Sequence, residues 1–111
     1  MTRSISERDW KYLNRVQPEM LTTLCKRINQ KAMEILQAGG LSEHDRYKRL
    51  YRHIRDADKV VADCFNDWGR STLFARLLSL QRHDLFTQKH LEHLTEETQE
   101  LLTMMGRRSP P

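Results

Sequence analysis

Cysteine, proline and glycine are all scarce in this chain. Two Cys among 111 residues cannot build a disulfide framework. They stand at Cys25 and Cys64, without C-x-x-C spacing or a neighbouring ligand cluster. Three Pro and four Gly exclude collagen-like and Pro/Gly low-complexity chains. No run approaches the roughly 18 apolar residues of a membrane span. Strand-period segments and internal repeats are missing as well. Gly39-Gly40 has no Lys-Ser/Thr behind it, so it is no phosphate-binding loop. No apolar signal region follows Met1, and the expectation is a cytoplasmic protein with both thiols reduced.

What remains is charged and periodic. Charged residues make up 31% and hydrophobic residues 38%, and mean hydropathy is -0.76. The net charge of +4 is greatest in residues 1–40 and is mixed with acids throughout. Dedicated nucleic-acid binders concentrate Lys and Arg on one face instead.

The apolar residues recur at spacings of three and four, the signature of helices. Ser6 is an N-cap, with Asp9 at the third helical position and Ile5 and Trp10 as a hydrophobic staple. The stripe then runs Leu13, Met20, Leu21, Leu24, Cys25, Ile28, Ala32, Ile35 and Leu36. Pro18 predicts a break into a short helix and a longer one, with a single kinked helix as the alternative. Gly39-Gly40 ends this region. Ser42 caps a second long helix carrying Tyr47, Leu50, Tyr51, Ile54, Ala57, Val61, Cys64, Phe65 and Trp68. A phase shift predicts a break near Gly69 and a third helix from Ser71 or Thr72 to about His83. Thr87 and Thr95 cap two last helices, stopped at Gly106. The predicted fold class is all-α: two long helices, a third core helix and a C-terminal helical hairpin. One domain covers residues 1–106, with a flexible tail at 107–111.

Residues 77–91 resemble a short helical hairpin found in many small bacterial proteins, often as an oligomerisation piece. In that hairpin a helix ends at Gly-Leu-Ile-Ser/Thr. Here Asp84 replaces the glycine, and His90 stands where an acid is usual. The resemblance implies a helix reversal and names no family.

Asp58 lies on the wheel between Ile54, Val61 and Phe65. A carboxylate buried there must be paired, because an unpaired one costs several kcal/mol. The expectation is a buried acid, either in a structural pair or lining a pocket or interface. The third helix is apolar over a wide arc. Its residues Leu73, Phe74, Leu77 and Leu78 are the expected interface of a homodimer.

Lys48, Arg49, Arg52, Arg55 and Lys59 form a basic side on the second long helix, interleaved with acids. They carry the alternative reading, contact with nucleic-acid phosphates. The second helix of the hairpin at 72–94 offers Gln88, Lys89, His90 and Glu92 but no Arg, which disfavours a sequence-specific DNA reader. His90 and His93 are three apart without a third ligand, so no metal and no cofactor is expected. The thiols and the aromatics Tyr47 and Tyr51 are expected in the core, leaving Tyr12 exposed. The function expected is a small non-enzymatic interaction or regulatory protein, homo-oligomeric, with no membrane contact.

Overall fold

The computed structural model describes residues 5–108. The chain is all-α. Five helices follow in order: α1 (Glu7–Gln37), α2 (Glu43–Phe65), α3 (Leu73–Arg82), α4 (Gln88–Leu91) and α5 (Glu96–Arg108). Both predicted serine caps form. The Asp9 amide donates to Ser6 Oγ at 3.2 Å, and the Asp45 amide donates to Ser42 Oγ at 3.1 Å. Helix α5 continues through Gly106 to Arg108. The remainder of the expected tail, residues 109–111, lies outside the described residues.

Pro18 does not break the first helix: α1 runs uninterrupted through it. The proline leaves the Asn14 carbonyl without its helical donor. Asn14 and Pro18 are both exposed, so water can take the donor's place. Leu13, Val16, Met20 and Leu24 anchor the helix on both sides of the proline.

Helix α3 ends as the sequence predicts, and the reason is local. Asp84 adopts φ +55°, the left-handed conformation that glycine takes most easily. The Leu85 amide donates to the Leu80 carbonyl at 2.8 Å, and the Asp84 amide donates to Gln81 at 3.1 Å. This is a Schellman cap, and the apolar pair that accompanies it, Leu80 and Leu85, is buried.

The core occupies one end of the molecule. It collects Leu13, Val16, Met20 and Leu24 of α1, Cys64 and Phe65 of α2, Leu73, Leu77 and Leu80 of α3, and Leu102 of α5. Between Cys25 and Asp63 no residue is buried. That stretch is an antiparallel arm. The His53 ring nitrogen meets the Ile28 carbonyl at 2.9 Å, and the Arg46 guanidinium meets the Ile35 carbonyl at 3.2 Å. The arm makes the molecule long, 54 × 28 × 23 Å, with a radius of gyration of 17.0 Å. A compact domain of this length has about 13 Å.

Candidate functional site

The two arm helices meet along a narrow seam. On α2 the half-buried seam residues are Arg46, Leu50, His53, Ala57 and Val60. They alternate at spacings of four and three, as in a coiled-coil seam. On α1 the half-buried Ile28, Ala32 and Ile35 face them. The arm's larger apolar residues sit one position further on. Met33, Leu36, Tyr47, Tyr51 and Ile54 are 45–64% exposed. One step past the seam is a turn of about 100°. In two antiparallel right-handed helices, these turns carry the side chains to the same side. The five residues therefore share one open face of the arm.

Asp58 also stands on that side, one position after Ala57, and it is exposed. The expectation of a buried acid at 58 is corrected. Two candidate stripes run side by side on α2, and α1 packs on the one containing Ala57. That register lets Arg46 and His53 reach backbone carbonyls, and it leaves the tyrosine hydroxyls in water.

The buried acid is Asp9, fully enclosed. It accepts from the Thr95 amide at 2.9 Å, the Thr95 hydroxyl at 2.8 Å and the Thr98 hydroxyl at 2.6 Å. It thus ties the start of α1 to the start of α5, where the helix dipole favours a negative charge. Burial pushes its pKa up, but hydrogen bonds from Thr98, Thr95 and Ser6 outweigh it and hold the carboxyl below the ordinary value. Asp9 belongs to the stripe Asp9, Leu13, Val16, Met20. That spacing could have revealed it, but its place in the cap reads as solvent-facing.

Of the interface expected on α3, two residues are closed off and two are partly open. Leu73 and Leu77 are completely buried within their own chain, while Phe74 and Leu78 are half-buried against the same core. The wide apolar arc of α3 is explained by its central position between α2 and α5.

Arginines are committed to helix ends. The Arg46 guanidinium donates to the carbonyls of Ile35, Leu36 and Ala38, where α1 ends without a basic residue of its own. Arg27 donates to His83 at 2.8 Å and to Asp84 at 3.1 Å, closing the end of α3. Arg76 donates to Asp63 at 3.0 Å, near the end of α2. Arg70 joins Glu7 at 2.6 Å and the Ile5 carbonyl at 2.9 Å. At the C-terminal ends of α1, α2 and α3 cations are favoured because the helix dipole is negative there; Arg70 sits instead at the start of α1, where Glu7 offsets its charge.

The basic residues named for nucleic acid are dispersed among acids. Lys48 pairs with Asp45 at 3.7 Å, and Arg55 pairs with Asp56 at 3.8 Å. Arg49, Arg52 and Lys59 are exposed. A separate open groove of about 560 Å³ is lined by Glu7, Arg8, Lys11, Tyr12, Arg15 and His93. Tyr12 is half-buried rather than free, stacked on His93 at 4.9 Å. His90 takes the acid's place in a capping box: its Nδ1 accepts the Thr87 amide at 3.0 Å. Burial holds the His90 pKa below its ordinary value, and His93 and Lys89 add to this against Glu19. Among the described residues, no three His, Cys, Asp or Glu side chains gather as a metal site. No helix among them is long and apolar enough to cross a membrane.

Of the two thiols, only Cys64 is buried; Cys25 is exposed, one step outside the seam. Burial, with Asp63 beside it, pushes the Cys64 thiol above its ordinary pKa against the pull of Arg76 and Arg82. Such a thiol is a small hydrophobe, not a nucleophile. Compared with known proteins, the chain matches no family model, no curated protein and no solved structure.

Proposed function

We propose that this chain is a non-enzymatic interaction protein whose contact surface is the open face of the α1–α2 arm. The observation that carries this reading is the division of the molecule. Among the described residues every buried side chain lies at the core end, while five large apolar residues lie exposed together on the arm. Two helices in contact along one seam are marginal in water, because most helix stability comes from covering an amphipathic face. The exposed face amounts to roughly 500 Å² of apolar surface, near the upper end for the largest patch on a monomer. The commitment of Arg27, Arg46, Arg70 and Arg76 to helix ends and neighbouring backbone supports a structural role for much of the positive charge.

Size-exclusion of native extracts tests the reading. The wild-type chain is expected above its 13.3 kDa mass, and Tyr51→Glu with Ile54→Glu is expected at the monomer position. Elution of both at the monomer position overturns it.

A further inference from the structure

We infer that the occupant of the arm face is a second copy of this chain, docked with its arm antiparallel to the first. The inference rests on the contact-surface reading above and adds an identity and a register to it. Three residues on the face are spaced by seven: His44, Tyr51 and Asp58. A seven-residue step returns to nearly the same side of a helix, and all three are exposed. The face therefore carries a basic-capable imidazole at one end, a carboxylate at the other and a tyrosine midway. Tyr47 and Ile54 stand at nearly equal distances on either side of Tyr51.

A two-fold axis lying in the face, crossing α2 at Tyr51, maps this pattern onto itself. Tyr51 meets the partner's Tyr51. Tyr47 meets the partner's Ile54. His44 meets the partner's Asp58, as an N–H donor to a carboxylate acceptor. Each contact is made twice, as an isologous interface requires. On α1 the same operation lays Met33 and Leu36 over the partner's open stretch from Cys25 to Asn29. The product is a four-helix bundle in which every neighbouring pair is antiparallel.

The area suits this occupant. From His44 to Val61 the face is about 26 Å long, and two helices are about 20 Å wide. The footprint is roughly 500 Å² on each copy, so the pair reaches the ~1,000 Å² that a specific interface needs. The same axis keeps the acids apart, since Asp58 of one copy is far along the arm from the partner's Asp58. Arg55, whose guanidinium lies 5.9 Å from the Tyr51 ring centroid, sits at the rim beside the central tyrosines.

The test uses purified full-length chain, with Cys25→Ser to remove the exposed thiol. Sedimentation equilibrium reads the mass, and Tyr51→Cys under mild oxidation reads the register. A dimer that forms a disulfide between two copies of residue 51 is expected. Asp58→Lys and His44→Glu are each expected to weaken the dimer at least tenfold, because each single change sets like charges opposite one another. His44→Glu with Asp58→Lys is expected to restore it to within about threefold, because the swapped pair has the same complementarity. A dimer without the disulfide and without rescue overturns the register and leaves the contact surface standing. A purified monomer at 100 μM overturns the second copy as occupant. In that case the extract experiment decides separately whether another protein uses the face.

Discussion

Asp9 and Thr98 are 89 positions apart in sequence, and their side chains meet at 2.6 Å in the interior. The bond fastens the first helix to the last, and the carboxylate is fully enclosed. Removing it leaves the Thr95 amide and two hydroxyls without their acceptor. Asp9→Ala is expected to cost about 2–3 kcal/mol, the range for a buried hydrogen bond to a charged group. Urea unfolding measures it.

The same carboxylate sets an acid dependence. Its folded pKa is below the ordinary 3.8, so the unfolded chain takes up the proton first as pH falls. The stabilisation is complete above about pH 4 and is lost as pH drops toward the folded value. Wild-type stability is expected to fall below pH 4 more steeply than that of Asp9→Asn. Parallel curves would contradict this.

Arg46 is expected to hold the end of α1. Its Nη1 reaches the carbonyls of Ile35, Leu36 and Ala38 while Nη2 donates to the Leu41 carbonyl and Nε to the Glu43 carboxylate, a spread of donors that an ammonium cannot reproduce. Arg46→Ala should cost about 1 kcal/mol, and Arg46→Lys should recover less than half. Amide exchange over residues 40–46 should quicken in both variants.

Asp84→Gly should stabilise the chain. A non-glycine residue in the left-handed region carries a steric cost of about 1 kcal/mol. Glycine removes that cost and gives back part through the entropy of the unfolded chain. The net gain expected is about 0.5 kcal/mol in a urea titration. A loss would show that the Asp84 side chain stabilises the turn in a way the backbone geometry does not account for.

The thiols should separate cleanly. Alkylation of the native chain at submicromolar concentration is expected to modify Cys25 rapidly and to leave Cys64 unmodified until unfolding, with peptide mass spectrometry assigning the sites. Rapid labelling of Cys64 would contradict the enclosed core end.

The helix pattern was legible because caps and periodicity are local. Ser6, Ser42 and the left-handed residue at 84 each act within a few positions of themselves. The choice between two neighbouring stripes on α2 was not legible. Tyr47, Tyr51 and Ile54 outweigh Arg46, His53 and Ala57 in hydrophobicity, yet the second set faces α1. Its polar members find carbonyls on the partner helix, and the small Ala57 allows close approach. An acid in an apolar stripe must be paired, and Asp9 is, by partners at 95 and 98. Only the folded chain brings those residues together. Pro18 misled for the converse reason: the cost of a proline is local, while the packing that overrides it comes from Leu13, Val16, Met20 and Leu24.

The central claim is that a buried core end and an open, partner-seeking arm share one chain. Hydrogen exchange at two protein concentrations tests it most directly. At submicromolar concentration, residues 25–38 and 43–57 should exchange much faster than residues 73–82. At 100 μM the arm should become protected, and Tyr51→Glu with Ile54→Glu should abolish that gain without altering 73–82. Arm exchange that is independent of concentration and unchanged in the double variant would contradict the account.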